Sequence, residues 1–171
     1  RRAPHRREME PALRFLDHDG EMAARIRAFD WSGHPLGKPE AWPDPLKFAL
    51  DMALASSFPA AIYWGEDFHL LYNDAWAPIP AERHPWSLSR SGREVWADIW
   101  EIVGPQMEEV IASGHGFAIY DQLLAMERDG RPQETWWNYS FTPIRDGQGK
   151  VLGLLNQGNR SEEHTSELQS H

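Results

Sequence analysis

PAAIYWGEDFHLLYNDAW, residues 59–76, is the stretch from which the class of this chain follows. Two short apolar runs, Ala60 to Trp64 and His69 to Asn73, flank Gly65-Glu66-Asp67-Phe68. β-Branched and aromatic residues favour strands while Gly and Asp favour turns, so the stretch predicts a β-hairpin. Asn73-Asp74 then offers a helix cap ahead of Ala75 and Trp76, which predicts that the second strand feeds a helical segment.

Upstream, Met22, Ile26 and Phe29 recur at helical spacing and predict a short amphipathic helix from Gly20 to near Asp30. After a loop rich in turn residues, Asp44 as cap, Pro45 in the first turn and the stripe Leu46, Leu50, Ala53, Leu54 predict a second helix. Downstream, Pro78, Pro80 and Pro85 allow only short helical turns between Ala75 and Ser91. Trp96, Ile99, Trp100, Val103, Met107, Val110 and Ile111 then keep one stripe across Gly104-Pro105. This predicts either a kinked helix or two helices, the second opening at Pro105 and stopping at Gly114. Phe117 to Glu127 and Glu134 to Ile144 read as strands joined by a turn at Arg128-Asp-Gly-Arg-Pro, with a last strand from Val151 to Leu155. The result is an α+β chain of five strands with its main helices between the second and third.

Composition narrows the function. The 171 residues, 41% of them hydrophobic, suit one globular domain with a sizeable core. The net charge is −9 and the basic cluster, Arg1, Arg2, Arg6 and Arg7, sits in the first few residues. A body of that charge repels nucleic acid and anionic membranes, so no nucleic-acid partner and no membrane partner is expected. No cysteine is present, which excludes disulfides, thiolate metal sites and a cysteine nucleophile, and is consistent with a reducing compartment. No apolar run is long enough to span a bilayer and the N-terminus lacks a signal-peptide core, so the reading is a soluble, cytoplasmic protein.

DWSGHPLG (30–37), AWPDPL (41–46), IYWGEDFHLLYNDAW (62–76), HPW (84–86), EVWADIW (94–100), LLAMERDG (123–130) and NYSFTPIRD (138–146) follow one another in an order that resembles the PAS domains at the front of bacterial sensor histidine kinases. The resemblance covers most of Asp30 to Leu155 and is to a subgroup with a helical N-terminal extension. It implies a five-stranded antiparallel sheet with helices over one face, a small pocket between them, and signalling through the terminal helices. The division it suggests is a linker over 1–19, a helical extension over 20–57, the PAS core over 58–159 and a tail over 160–171. The light-sensing branch of the family forms a flavin–cysteine adduct, which this chain cannot. Haem-binding branches carry a histidine on the helix before the third strand; Ile99 to Ser113 contains none, so haem is disfavoured and the cofactor is left unknown. No kinase machinery follows the last strand. Arg160 to His171, RSEEHTSELQSH, resembles the translation of a short-read sequencing adapter, which implies a lost C-terminus and output domain; the alternative is a genuine polar tail.

His34, His69, His84 and His115 lack the spacing of a metal site, and no metal is expected. GQGKVLG (147–153) is read as a hairpin turn, since no helix follows to present its N-terminus to a phosphate. Asp121, Glu127 and Glu134 are read as a solvated face in preference to an acid/base pair. Nine tryptophans are a high number, and Trp136-Trp137 with Tyr139 and Phe141 puts aromatic side chains on both faces of one strand. The inner face implies a ligand pocket of Tyr72, Trp96, Trp100, Tyr120 and Tyr139, or else a core that these rings fill. The outer face calls for a cover, either the N-terminal helices or a second subunit, hence an expected homodimer. The function expected is a non-catalytic sensory module, the input domain of a sensor histidine kinase, that binds a small ligand or dimerises. The alternative is a small α+β enzyme using Tyr120, Asp121 or Tyr139 in proton transfer. Helices that interrupt the strand run favour the sensor.

Overall fold

The N-terminal half contributes two helices, α1 (Glu21–Ala28) and α2 (Asp44–Ala55), whose apolar stripes turn Met22, Ile26, Leu46 and Leu50 fully away from solvent. Two more follow later in the chain, the single turn α3 (Gly92–Val95) and the longer α4 (Trp100–Ser113). These elements come from a computed structural model of the chain, which describes residues 9–162.

The hairpin forms as its residues dictate. β1 (Ala60–Trp64) pairs antiparallel with β2 (His69–Tyr72), Ala61 opposite Tyr72 and Trp64 opposite His69. β3 (Phe117–Arg128), β4 (Arg131–Arg145) and β5 (Val151–Arg160) complete one antiparallel sheet in the order β2-β1-β5-β4-β3. α3 and α4 fall between β2 and β3, as expected of this α+β, PAS-like five-stranded arrangement.

The later strands are longer than the sequence suggests. Asp129 and Gly130 take φ of 53° and 73°, so these two residues suffice to reverse the chain and the pairing runs to Arg128 opposite Arg131. β5 continues past Leu155 through Asn156-Gln-Gly-Asn-Arg160 because β4 supplies partners along its whole length, Tyr139 opposite Gly158 and Trp137 opposite Arg160. Pairing here overrides weak strand propensity. Gly158 is the residue that permits it: a Cβ there would stand 2.5 Å from the carbonyl oxygen of Asn138. α4 is a single helix with Pro105 inside it; the break considered at Gly104-Pro105 does not occur, and the helix ends at Gly114 with φ 71°.

β1 is buried on both faces. Tyr63 looks towards α4, whereas Ala60 lies with Leu155, Gln157 and Thr142 on the outer face, beneath α2. The cover expected for that face is thus intramolecular, since Met22 and Ile26 are spent in the chain's own core. Residues 9–19 differ from the linker expected there: Pro11–Leu16 form a 3₁₀ helix, Phe15 and Leu16 are buried, and Phe15 meets Trp42 at 5.8 Å. Residues 1–8 lie outside the described residues. At the other end Arg160 closes β5, and buried Ser161 donates its N–H to Trp136 O at 2.8 Å and its hydroxyl to Asp121 at 2.6 Å. The rest of the segment that resembles an adapter, 163–171, also lies outside the described residues.

Asp74 does not start a helix of its own. Its carboxylate accepts from the N–H groups of Glu21 (3.1 Å) and Met22 (2.7 Å), capping α1 from a distant part of the chain. Gly20, at φ 105°, leaves the room: a Cβ would lie 2.4 Å from the Asp74 carboxylate. Asp74→Ala is expected to lower stability by about 1 kcal/mol, the usual worth of an N-terminal cap, read as a lower urea midpoint with unchanged slope. An unaltered midpoint would show that α1 is held by burial of Met22 and Ile26 alone.

Candidate functional site

A cavity of about 50 Å³ lies between the inner face of the sheet and the helical layer. Alternation delivers Tyr63 from β1, Leu124 and Met126 from β3, Trp137, Tyr139 and Phe141 from β4, and Asn156 from β5. Trp76, Ile79, Trp96, Ile99, Val103 and Met107 close it from the helical side. The space is far below the roughly 300–1,000 Å³ of a drug-sized ligand site but ample for water or a small apolar group.

The polar side-chain atoms on this lining are paired with protein partners. Trp96 Nε1–H donates to Tyr63 Oη at 2.9 Å, and Trp76 Nε1–H donates to Asn156 Oδ1 at 3.0 Å, while Asn156 donates to Ser140 O at 3.1 Å. Tyr139 donates to Gln106 Oε1 at 2.6 Å, and Trp137 Nε1–H donates to Thr135 Oγ1 at 2.6 Å. Burial pushes the phenols of Tyr63 and Tyr139 upwards, that of Tyr139 to about 12, so both are neutral hydrogen-bonding groups near neutrality.

Of the residues read from the sequence as a pocket, Trp96 and Tyr139 line the cavity and Tyr72, Trp100 and Tyr120 do not. Tyr72 is buried and packs on Trp76 at 4.9 Å, but its hydroxyl is engaged by His84 Nδ1 (2.6 Å) and Ser87 Oγ (2.8 Å). Trp100 sits half-buried against Phe68 at 5.9 Å, with Arg93 over its ring. Tyr120 is 75% exposed because β3 bulges between Ile119 and Gln122, which shifts the alternation. Sequence reasoning missed Tyr63, Trp76, Gln106 and Asn156. Tyr63 lies in the hairpin's first strand and Trp76 just after its second, and the period-two pattern through Ala61 and Tyr63 was the signal that could have found the first.

A second polar network ties α1 to this layer. Glu21 accepts from Arg25 Nε (2.6 Å) and from His84 Nε2–H (2.5 Å), His84 Nδ1 meets Tyr72, and Tyr72 meets Ser87. The hydrogen bond from Arg25, then that from His84, holds the exposed Glu21 carboxyl below its usual range. This acid–histidine–hydroxyl chain has the order of a proton relay, yet its hydroxyls belong to Tyr72 and Ser87, both fully buried. The residues weighed for proton transfer also separate: Tyr139 bonds Gln106 within the cavity, Asp121 accepts from Ser161 at the bulge, and Tyr120 faces solvent.

On the outer side an open cleft of about 920 Å³ runs between α1 and the loop 85–91. His34 Nε2 and His69 Nδ1 both donate to Ser89 O, at 2.8 and 3.1 Å, with ring centroids 4.6 Å apart. Burial keeps His34 below the usual histidine range, and its Nδ1 accepts from Leu36 N–H, so it is neutral. Among the described residues no group of three His, Asp or Glu stands close enough to hold a metal ion, and no helix is long and apolar enough to cross a membrane.

No known protein family's profile matches the sequence, and no curated protein does. Solved structures do match. The PAS domain of Bordetella pertussis BvgS superposes with a TM-score of 0.54 at 16% identity, over 75% of this chain and 94% of that one. An RNA-binding light-oxygen-voltage receptor matches with a TM-score of 0.50 at 17% identity over 76% of this chain, which spans only 38% of that receptor. Vibrio cholerae VqmA, described as a dimer in the absence of target DNA and in relation to the DNA-binding mechanisms of LuxR-type receptors, matches at 0.50 and 20% identity over 68% of this chain and 52% of its own. These neighbours correct one expectation. Net charge does not exclude a nucleic-acid partner, because the same fold occurs in RNA-binding and DNA-binding proteins whose chains extend well beyond the matched part. At such identities the likeness is one of architecture, and the architecture of this chain is PAS-like.

Proposed function

We propose that the chain is a non-catalytic sensory module, the input unit of a longer signalling protein of the sensor histidine kinase type, with the cavity beneath the sheet as its sensing site. The observation that carries this is the cavity's lining, apolar rings and side chains whose hydrogen-bonding atoms are already paired with protein partners. Such a site binds and releases; it presents no free nucleophile or base to a substrate. α1 and α2 share one hydrophobic core with the cavity walls, so a change in the cavity is transmitted to the N-terminal helices by packing.

Dimerisation is the second reading, carried by α2. Phe48 and Met52, one turn apart, are 67% and 75% exposed, and Phe58 lies just beyond the helix with 45% of its surface in solvent. Apolar side chains grouped in this way mark an association surface.

One native mass spectrum of freshly purified protein tests both. A retained small molecule at one per chain is expected, and Val103→Leu, which adds a methylene to the cavity wall, should abolish its retention while the fold persists. A bare dimer would move the function to dimerisation alone, and a bare monomer would overturn both readings.

A further inference from the structure

Three arginines meet around residues that line the cavity. The Arg83 guanidinium lies 5.1 Å above the ring of Trp96, and that of Arg160 lies 5.6 Å above the ring of Trp137. Arg128 Nη2 donates to Ile79 O at 3.1 Å. Trp96, Trp137 and Ile79 all line the cavity, so each of the three cations contacts a residue of its wall, and their charges act on one another at Arg128.

Their hydrogen bonding is incomplete. Arg83 Nη2 donates to Asp98 Oδ2 (2.6 Å) and Glu127 O (3.2 Å), and the same Asp98 oxygen accepts from Glu127 N–H at 2.8 Å. Glu82 accepts from Asp129 N–H at 2.5 Å. Arg83 Nη1 and Arg128 Nε are buried and find no hydrogen-bond partner among the described residues. Burial, and next the nearby Arg160 charge, bring the Arg128 guanidinium below its usual range, and Arg83 adds to this while Glu82 and Asp129 oppose it. Buried guanidinium donors are unfavourable without an acceptor to take their hydrogens, even where carboxylates balance the charge.

We propose that Arg83, Arg128 and Arg160 hold the carboxylate of a small organic acid whose short apolar end occupies the cavity. The inference rests on the reading of the cavity as a sensing site. The planar guanidinium fork matches a carboxylate, and Asp98, Glu82 and Asp129 already balance the charge of the three arginines, so the unmet hydrogen-bond donors suit a monoanion over a multiply charged phosphate. A cavity of about 50 Å³ sets the length of the apolar end. Taking a water's share of about 30 Å³ as a guide, it takes roughly two carbons.

The test is calorimetric titration of the full chain with sodium propionate and butyrate, against the neutral isosteres propionamide and butyramide and against inorganic phosphate. The acids should bind one per chain and perturb tryptophan fluorescence, since two guanidinium groups lie over Trp96 and Trp137. The amides and phosphate should not bind. Arg128→Gln should weaken binding roughly tenfold or more, the loss of a charge-assisted hydrogen bond. Arg160→Gln, at the exposed end of β5, should do the same in a protein whose fold is not at risk. Amides binding as well as acids, or phosphate binding equally, would overturn the carboxylate site and leave the sensing reading standing. So would silence from every probe when the purified protein retains some other molecule. Silence from every probe together with a bare protein would overturn both.

Discussion

Replacing Asn73 with Ala is expected to lower stability by roughly 3–5 kcal/mol, an exceptional loss for a polar truncation. Asn73 is fully buried where β2 ends. Its Oδ1 accepts from Ala60 N–H at 3.1 Å and Trp76 N–H at 3.0 Å, and its amide donates to Ala53 O at 2.9 Å and Phe58 O at 2.8 Å. One side chain therefore joins the end of α2, the entry to β1, and the turn that places Trp76 over the cavity. Truncation leaves buried backbone donors and acceptors with nothing to bond, at about 1–3 kcal/mol each where water cannot reach them. Urea unfolding should show the midpoint fall with an unchanged slope. Asn73→Asp keeps the acceptor and loses the donors, so it should fall between the parent and Asn73→Ala. A loss under about 1 kcal/mol for Ala would mean that water or relaxed backbone replaces the side chain, and that the three segments are joined by packing alone.

That residue illustrates what the sequence makes legible. The hairpin at 60–72, the two N-terminal helices, the stop at Gly114 and the inward Trp137 beside the half-buried outward Trp136 all follow from local pattern, and all are present. Asn73 was legible as a cap, and it does accept from Trp76 N–H, but its bonds to Ala53 and Phe58 depend on chain passing nearby in space. Asp74 looked like part of the same cap and instead serves α1, more than fifty residues upstream. Neither bond has a signature in the local sequence. The candidate site suffered from a different cause. Trp96 and Tyr139 follow helical and strand periods and reach the cavity, whereas Tyr120 sits on a bulge that resets the alternation. Asp121 takes φ 61° there and its N–H bonds to Asn138, features that no period-two pattern carries. Trp100 belongs to the right stripe, but the stripe is wider than the cavity, and its ring turns to Phe68. The N-terminal 3₁₀ turn reads as linker because two buried side chains, Phe15 and Leu16, are too few to make a period.

Stability should fall steeply above pH 10, and the buried tyrosines should be the reason. Burial raises the phenol of Tyr139 to about 12, and burial raises those of Tyr63 and Tyr72 as well. In the unfolded chain a tyrosine titrates near 10. Between these values the unfolded state has released protons that the folded state retains, so unfolding is favoured as pH rises. Below pH 10 the stabilisation is fully present; it drains away up to the folded value. Each such tyrosine subtracts at most about 1.4 kcal/mol per pH unit in that window, less for the half-buried Tyr139, which solvent partly screens. Guanidinium melts at pH 7, 10 and 11.5 should therefore show a loss of several kcal/mol at the highest pH. Tyr63→Phe gives the diagnostic crossing. At pH 7 it leaves the Trp96 indole N–H without its acceptor and should lose about 1–2 kcal/mol, whereas at pH 11.5 it removes a titration that opposes folding and should equal or exceed the parent. Tyr139→Phe should flatten the profile in the same way, leaving Gln106 with the bond its Nε2 donates to Gln122 Oε1 at 3.5 Å. If both variants track the parent's slope from pH 10 to 11.5, the alkaline loss comes from lysines and general charge repulsion, and the phenols are more hydrated than their burial implies.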